Sequence, residues 1–426
     1  MRVVYLIAGA GGMSCGSCLR DNRLVATLIK QGRDVVLVPL YTPIRTDEAD
    51  VSERDVYYGG INVYLQQRFG LFRRLPTWTT RALDSVPLLR WAGRFAGGTS
   101  AELLGPMTVS MLKGEEGAQR KELDRLIEGL RPLEPDVINL PNLMFVGIAA
   151  RLKAELGVRV LCTLSGEDIF LDPLPERYRR EAHDLIREGA RDVDAFIAPT
   201  EYFASFATRR FELPAQHVRV VRLGIATDDV GEAADPQGEP FTIGYLARIC
   251  PEKGLANLAD AFIQLRGAGH NCRLRVAGYL GASDQAYMDR VCDKLRDAGV
   301  FDAFDYVREP DRAEKLDFLR SLHVLSVPTE YHEAKGLYVL EAMACGVPVV
   351  QPRHGSFPEL VEATGGGLLY DPTEADALAG AIAGLMDDSH RRRDLADRGR
   401  RSVLDSFTDE IMARNTWALY ERYGSE

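Results

Sequence analysis

The sequence lacks the features that mark several broad classes of protein. Among its 426 residues no apolar run reaches the roughly 20 residues of a membrane-spanning helix. Met1 leads almost directly into the apolar pattern Val3–Ala8, so we expect no signal peptide. The seven cysteines are odd in number and mostly scattered, which is typical of a reducing cytoplasm. We therefore expect a cytoplasmic protein. The net charge of -10 argues against a nucleic-acid partner.

The glycine-rich turn after the first predicted strand is an incomplete dinucleotide motif. Ser14 stands where the fingerprint has its third glycine, and the second predicted strand ends without an acidic residue for a ribose. A dinucleotide-dependent oxidoreductase is therefore disfavoured. Gly11 and Gly12 either let a phosphate or substrate approach the backbone or serve only a tight turn. Cys15 and Cys18 are too few ligands for a zinc site, and a redox role for them stays open.

Two glutamates frame the most informative stretch of the chain. The apolar run Val324–Pro328 predicts a buried strand, Gly336–Cys345 a helix, and Val347–Val350 the next parallel strand. Glu333 lies in the loop before this helix, and Glu341 lies in its second turn. The stretch therefore predicts one strand–loop–helix–strand unit.

The spacing within this unit suits a nucleotide sugar. The amides of Gly336 and Leu337 have no intrahelical acceptors and bear partial positive charge, which favours a phosphate. Eight helical residues rise about 12 Å, which roughly matches a ribose, a diphosphate and a sugar ring laid end to end. Glu341 would then bind the ribose, and Glu333 would bind the sugar. The spacing alone fits equally well a buried helix with one solvated glutamate before it and one partnered glutamate inside it.

The complete string resembles a known donor-site signature. Glu333, seven residues, Glu341 and then Ala-Met-Ala-Cys-Gly-Val-Pro-Val-Val are similar to the signature of family-four glycosyltransferases. Those enzymes have the GT-B fold, use nucleotide sugars and are mostly retaining. The resemblance implies an α/β chain with two Rossmann-like, doubly wound domains that face each other across a cleft. One departure is Ala334–Gly336, where the family often has Gly-Phe-Gly.

Cationic residues near this stretch complete the expected donor site. Arg248 follows a predicted strand and Lys253 precedes a predicted helix, so both can bind one diphosphate, although each alone would more often be a surface charge. The family has an arginine and a lysine at this spacing. The resemblance therefore implies that Arg248, Lys253 and Glu333 are catalytic. Lys335 departs from the family pattern, and it either adds positive charge near the diphosphate or points to solvent. Arg308 belongs to a predicted loop near the base.

The acceptor side is less well defined by the sequence. Two loops that follow predicted strands should lie at the same sheet edge as the glycine-rich turn, and their polar residues include Asn139, Glu167 and Asp168. Each of the three is equally well explained as a cap or turn residue. Related glycosyltransferases often have a histidine in one or both loops, and this chain has none there.

We expect an acceptor-side domain over residues 1–230 and a nucleotide-sugar domain over 231–404. Residues 405–426 should form a helix that returns to the first domain, as the resemblance implies. Within the first domain, residues 66–95 are rich in arginine and aromatic residues. They form either a peripheral membrane or anionic-acceptor surface, or a pair of packed helices with solvated arginines.

These patterns together predict a glycosyltransferase that needs a UDP- or GDP-type sugar as donor and no cofactor. The resemblance implies a retaining hexosyltransferase. A non-catalytic sugar-nucleotide-binding protein remains an alternative, because the acceptor loops lack histidine. A sugar-nucleotide epimerase on the same fold is a second alternative. The sequence identifies neither the sugar nor the acceptor.

We predict that turnover does not require a divalent metal, because no carboxylate pair marks the expected phosphate site. The cations of Arg248 and Lys253 would stabilise the leaving diphosphate in place of Mg²⁺. Turnover should therefore be the same with and without EDTA. A loss of turnover that Mg²⁺ or Mn²⁺ restores would show that a metal site had been missed.

Overall fold

A computed structural model of the chain describes residues 1–9, 16–44, 46, 48–53, 55–69, 72, 75, 101–234, 236 and 238–425. Within this range, the side chains of 101–103 are not described. Gly11, Gly12 and Cys15 lie outside the described residues, and so does most of the arginine-rich segment 66–95. No helix in the described ranges is long and apolar enough to span a membrane.

The described chain consists of two compact units. Unit 1 contains Met1–Arg222 and Glu410–Glu426, and unit 2 contains Leu223–Asp409. The first unit is thus built from both ends of the chain, and the second is a continuous segment. The domain boundaries expected from the sequence, after 230 and after 404, differ from these by several residues.

Unit 1 contains a six-stranded parallel sheet in the order β2-β1-β3-β4-β5-β6. Its strands are β1 Arg2–Ile7, β2 Asp34–Pro39, β3 Val137–Leu140, β4 Arg159–Thr163, β5 Ala195–Ala198 and β6 Val218–Val220. The α-helices described around it are Gly16–Lys30, Gly60–Arg68, Ala101–Leu112, Arg120–Leu130, Ala149–Leu156, Asp168–Leu171, Glu176–Gly189, Glu201–Arg210 and the terminal helix Asp409–Gly424.

Unit 2 contains a second six-stranded parallel sheet, in the order β12-β11-β10-β7-β8-β9. Its strands are β7 Phe241–Leu246, β8 Cys272–Gly278, β9 Phe304–Arg308, β10 Val324–Leu325, β11 Val349–Pro352 and β12 Gly367–Tyr370. Its α-helices are Leu255–Gly267, Gln285–Asp297, Arg312–Arg320, Leu337–Ala344, Phe357–Thr364, Ala377–Asp387 and Ser389–Ser406.

The strand order of unit 2 determines where a ligand is expected. Counted from its own first strand, the sheet has the Rossmann order 3-2-1-4-5-6, and the direction of winding reverses between β7 and β10. In open α/β sheets, ligands bind beyond the carboxyl ends of the strands at such a reversal. The loop with Arg248 and Lys253 follows β7, and the loop with Glu333 follows β10. Strand order therefore brings these two loops to one place.

Three local expectations need correction. The predicted strand Val324–Pro328 is only the two-residue β10, because the Val327 amide donates to the Gln351 side chain and Pro328 has no amide hydrogen. The predicted helix is one residue shorter at each end, Leu337–Ala344, with Gly336 as its N-cap. Arg308, predicted in a loop, is the last residue of β9.

The terminal helix Asp409–Gly424 contributes to the core of unit 1. Trp417 and Tyr420 pack in the same hydrophobic cluster as Val3 and Tyr5 of β1. The hydroxyl of the fully buried Tyr420 donates to Asn139 Oδ1 at 3.3 Å. Unit 1 therefore depends on residues at the very end of the chain for part of its hydrophobic core.

We predict that Tyr420→Ala destabilises unit 1 by about 3–5 kcal/mol, because it removes a fully buried aromatic side chain. Arg414→Ala, at an exposed position of the same helix, is the matched control. Urea unfolding followed by tryptophan fluorescence measures the effect, since Trp417 belongs to the core of unit 1 and the sequence of unit 2 contains no tryptophan. Equal midpoints for the two variants would contradict the role assigned to Tyr420.

Candidate functional site

The loop after β7 brings its lysine close to β10 through a glycine. A single turn of 3-10 helix, Pro251–Lys253, ends at Gly254, which has a φ of +71°. A Cβ at this position would lie 1.8 Å from the carbonyl oxygen of Pro328. Only glycine combines this backbone conformation with such a close approach. The sequence Lys-Gly therefore fixes Lys253 next to the loop that follows β10.

Glu333 is the centre of a cluster of hydrogen bonds in unit 2. Its Oε2 accepts from Lys253 Nζ at 2.6 Å, from the Tyr331 hydroxyl at 2.7 Å and from the Tyr338 hydroxyl at 3.1 Å. Its Oε1 accepts from the backbone amide of Lys335 at 3.2 Å. Lys253 Nζ also donates to the Tyr331 hydroxyl at 2.5 Å. The structure thus unites two residues predicted from the sequence, Glu333 and Lys253, with two tyrosines that sequence reasoning missed.

The cluster keeps Glu333 ionised although only 4% of the residue is exposed. Burial by itself would raise the pKa of this carboxyl. The charge of Lys253, with the hydrogen bonds from Lys253, Tyr331 and the Lys335 amide, outweighs burial and lowers the pKa to about 2. Glu333 is therefore a charged acceptor at neutral pH, and Lys253 is already paired with it.

A neighbouring loop supports the backbone of Glu333. The Ser356 amide donates to the Glu333 carbonyl at 2.7 Å, and His354 Nε2 contacts the Thr329 carbonyl at 3.0 Å. Gly355, at φ +60°, lies so close that a Cβ would be 2.6 Å from the backbone nitrogen and oxygen of Glu333. The position of the glutamate is thus determined by three separate loops.

The helix Leu337–Ala344 begins four residues after Glu333. Gly336 adopts a left-handed conformation, φ +69°, and ends the loop that began at Thr329. The first amides of a helix lack intrahelical acceptors, so the helix start beside Glu333 is suited to a phosphate. The half-buried Lys335 immediately precedes this helix start. Gly336, Leu337 and Lys335 therefore lie in one turn, as the donor-site interpretation requires.

Glu341 has protein partners that sequence reasoning missed. Its Oε1 contacts Lys315 Nζ at 2.8 Å and Arg312 Nη1 at 3.4 Å, and Arg312 is also paired with Asp229 at 2.7 Å. Glu341 and Lys315 are both less than 9% exposed. A signal existed, since Lys315 lies at helical spacing from the buried Leu319, on the face that packs inward. The sequence left open whether Glu341 binds a ligand or a protein partner. For its oxygen Oε1, the contacts show protein partners.

The two remaining donor-side arginines are placed differently. Arg248 lies just beyond β7 and is half-buried, and its carbonyl accepts a hydrogen bond from the Tyr245 hydroxyl at 3.2 Å. Arg308, at the end of β9, is exposed and donates through Nη2 to the Leu280 carbonyl at 3.2 Å. Both residues lie at carboxyl ends of strands in the sheet of unit 2, where ligands are expected.

In unit 1, the carboxylate of Glu167 connects the loops after β3 and β4. Its carboxylate accepts hydrogen bonds from the amides of Leu143 at 3.3 Å, Ser165 at 2.9 Å and Gly166 at 3.0 Å. These bonds join the loop after β3 to the loop after β4. Asp168, half-buried, begins the one-turn helix that follows. Of the two interpretations of Glu167, the contacts support the turn residue.

Asn139 belongs to a buried polar network that sequence reasoning missed. Its amide donates to Thr163 Oγ1 at 2.9 Å, and the Tyr5 hydroxyl lies 3.1 Å from the same oxygen. Tyr5 also donates to Asp21 at 2.8 Å, and Asp21 forms a buried ion pair with Arg20 at 2.5 Å. The sequence signal for this network was the pair of adjacent charged residues Arg20 and Asp21 inside a helix that packs on the sheet. The network links the core of unit 1 to the loop after β4.

No group of acidic, histidine and cysteine side chains suited to a metal ion is found in the part of the chain that the structure describes. The spacing Asp-x-Asp does occur at Asp192 and Asp194. However, Asp194 precedes β5, at the amino end of that strand, and is paired with Lys153 at 2.9 Å and Arg159 at 3.3 Å. Asp194 therefore belongs to an ion-pair network away from the strand ends where ligands bind, and the backbone carbonyl of Asp192 accepts from Lys153 in the same place.

Two family models match consecutive parts of the chain. The model for Glycosyl transferases group 1 matches residues 230–402, and the model for Glycosyltransferase Family 4 matches residues 108–229. The chain belongs to glycosyltransferase family four. The family expected from the stretch between Glu333 and Glu341 is thereby confirmed, and this family consists of sugar-transferring enzymes.

Curated relatives are similar over little more than half of this chain. The lipopolysaccharide 1,2-N-acetylglucosaminetransferase of Salmonella typhimurium is 26% identical over 246 residues, which are 54% of this chain and 63% of that protein. The MMP alpha-(1->4)-mannosyltransferase of Mycolicibacterium hassiacum is 27% identical over 241 residues, 56% of either chain. The chain thus spans less than two thirds of the length of these two relatives.

Solved structures are similar over nearly the whole chain. Sucrose-phosphate synthase from Thermosynechococcus elongatus has a TM-score of 0.71 at 18% identity, with 99% of both chains covered. HepE from Anabaena, solved in complex with UDP-glucose, has a TM-score of 0.67 at 16% identity, with 99% of this chain and 100% of that chain covered. At such identities the similarity shows the fold alone, and it confirms the expected GT-B fold with two Rossmann-like domains.

We predict that Glu333 makes the stability of unit 2 depend on pH. A glutamate titrates near pH 4.3 in an unfolded chain, and here the folded pKa is about 2. A lowered folded pKa contributes stability above the unfolded pKa, and this contribution is lost as the pH falls toward 2. The shift corresponds to roughly 3 kcal/mol.

Hydrogen exchange of the helix Leu337–Ala344 between about pH 6 and pH 3 measures this effect. After correction for intrinsic exchange, protection should fall on acidification in the wild type and fall less in Glu333→Gln. Parallel pH profiles for the two proteins would contradict the ion pair with Lys253.

Proposed function

We propose that this protein transfers a sugar from a nucleotide-diphosphate sugar, of the UDP type, to an acceptor hydroxyl with retention of configuration. The observation that supports it most is the cluster around Glu333. A charged, buried carboxylate, a paired lysine and an open helix start lie together at the reversal of strand order in unit 2. HepE, which has the same fold, was solved with UDP and glucose and with UDP-glucose, which supports a UDP-type donor.

The diphosphate would bind where positive charge is available. Lys253 Nζ has three N–H donors, and two of them are directed to Glu333 and Tyr331. One donor therefore remains for a phosphate oxygen. Arg248, the helix start at Gly336 and the cation of Lys335 supply further positive charge. Charge that is in place before the reaction stabilises negative charge as it develops on the leaving group.

The ribose would bind at the second oxygen of Glu341. Oε1 is occupied by Lys315 and Arg312, whereas Oε2 has no hydrogen-bond partner among the residues that the structure describes. Because the Glu341 residue is largely buried, a donor that reaches this oxygen would stabilise its charge. Ribose hydroxyls are such donors. In this proposal, Glu341 both pairs with the protein and binds the donor.

The chemical step follows the family resemblance. The sugar–phosphate bond breaks, the acceptor oxygen forms the new bond at the same face of the sugar, and the acceptor proton passes to the leaving phosphate. Glu333 would accept a hydrogen bond from a hydroxyl of the sugar and so orient the sugar ring. We also propose that the reaction needs no metal, because protein cations take the place of Mg²⁺. A separate part of the proposal is that residues 66–95 contact the membrane surface.

The alternatives differ in their products. A binding protein would release no nucleotide from a donor, and an epimerase would convert one nucleotide sugar into another. We expect this protein to release UDP slowly from UDP-glucose or a related UDP-sugar, and faster when a mixture of candidate acceptors is added. UDP release measured by chromatography tests this. Detection of an epimerised donor, or no release from any UDP- or GDP-sugar, would contradict the proposal.

Lys335 provides a test within the same assay, because it stands where the family often has an aromatic residue. If its cation contacts the leaving diphosphate mainly in the transition state, Lys335→Met should lower turnover by roughly ten- to a hundredfold. Lys294→Met, which removes an exposed surface lysine of unit 2, is the matched control. Unchanged turnover in a folded Lys335→Met protein would show that this cation does not act on the leaving group.

A further inference from the structure

Two tyrosine hydroxyls converge on the same oxygen of Glu333. Tyr331 precedes the glutamate by two residues, and Tyr338 lies in the first turn of the helix Leu337–Ala344. Their hydroxyls donate to Oε2 at 2.7 Å and 3.1 Å, and Lys253 donates to the same atom at 2.6 Å. Three donors on one carboxylate oxygen exceed its two lone pairs in the carboxylate plane, so that oxygen is saturated.

The other oxygen has a different environment. Among the residues that the structure describes, Oε1 of Glu333 accepts one hydrogen bond, at 3.2 Å from the Lys335 amide. A carboxylate oxygen has two lone-pair sites, so Oε1 retains acceptor capacity while Oε2 does not. The two oxygens of Glu333 are therefore unequal before any ligand binds.

The tyrosines cannot easily be exchanged for other donors. Lys253 Nζ lies 4.9 Å from the ring centroid of Tyr331 and 5.3 Å from that of Tyr338, so the cation contacts both rings. Tyr338 is less than 10% exposed and packs against Phe357 with ring centroids 6.4 Å apart. Its hydroxyl is thus fixed in place by packing. Each tyrosine binds both members of the ion pair, one through its hydroxyl and the other through its ring.

We propose that Tyr331 and Tyr338 are positioning residues. They hold Oε2 of Glu333 against Lys253 and leave Oε1 to accept a hydrogen bond from a hydroxyl of the donor sugar. This inference rests on the proposed function and extends it. The two tyrosines would set the preference of the site for the sugar nucleotide over the bare nucleotide. They act through the glutamate and do not themselves contact the diphosphate.

The proposal predicts an effect on one ligand and not on the other. Without a tyrosine hydroxyl, Oε2 competes with Oε1 for the remaining donors, and the carboxylate rotates away from the orientation that the sugar requires. Tyr331→Phe and Tyr338→Phe should each weaken the binding of UDP-glucose by roughly three- to tenfold. The binding of UDP should stay within about twofold of wild type, because UDP lacks the transferred sugar that would contact Glu333.

Isothermal titration of the wild type and the variants with UDP and with UDP-glucose provides the test. Tyr370→Phe is the matched control, since Tyr370 is a partly buried tyrosine on β12 of the same unit. A double Tyr331→Phe, Tyr338→Phe variant should lose most of the preference for UDP-glucose. Equal weakening of both ligands, or no change for either, would overturn the proposal.

A second measurement requires no donor. Carboxyl-carbon NMR of ligand-free protein reports the titration of Glu333, and loss of a donated hydrogen bond should raise the pKa of this carboxyl above that of the wild type. An unchanged pKa in both single variants would show that the tyrosines do not position the glutamate.

The two measurements separate the possible failures. A wild-type protein that binds neither UDP nor UDP-glucose would refute the proposed donor, while the NMR titration would still decide whether the tyrosines position Glu333. A wild-type protein that binds both ligands, with variants that show no selective loss, would refute only the role of the tyrosines.

Discussion

The ion pair between Lys253 and Glu333 is the contact on which the donor side of unit 2 depends. It joins the loop after β7 to the loop after β10, and these strands are neighbours at the reversal of strand order. Burial of a lone carboxylate would cost several kcal/mol, so Glu333 needs the lysine to remain charged at this position. The lysine in turn reaches Glu333 because Gly254 has no side chain to separate the two loops.

A second buried pair repeats this arrangement at the other end of the helix Leu337–Ala344. Glu341 is bound by Lys315 much as Glu333 is bound by Lys253, so each glutamate of the signature is neutralised by a lysine from a distant part of the chain. The formal charge of these four groups sums to zero. In the proposed donor complex, these two lysines would therefore attract a diphosphate less strongly than unpaired cations would. Counting cations from the sequence overestimates the positive charge available from Lys253.

The sequence predicted those features that depend on neighbours along the chain. Apolar runs located the strands around Glu333, and the position of Gly336 located the helix start to within one residue. The spacing of Glu333 and Glu341 suggested their roles toward a donor, and the resemblance to family four favoured that interpretation over a purely structural one. Lys315 was not predicted, because it lies 26 positions from Glu341 and reaches it only through the packing of two helices. Tyr331 and Tyr338 lie close to Glu333 in the sequence, but the conformation of the loop between them decides that both hydroxyls point to it. The acceptor-side residues Asn139 and Glu167 gave no sequence signal that separates a structural polar group from a ligand-binding one.

The assembly of unit 1 from both ends of the chain has a consequence for biosynthesis. Trp417 and Tyr420 belong to its core, and they leave the ribosome only after the whole of unit 2 has been made. Domains generally fold as units during synthesis. We therefore expect the later segment, Leu223–Asp409, to reach its final structure before the earlier one does. Until this helix has been made, the sheet that begins at Arg2 exposes the apolar surface that the helix covers, and during that interval the nascent protein is most exposed to aggregation and to chaperones.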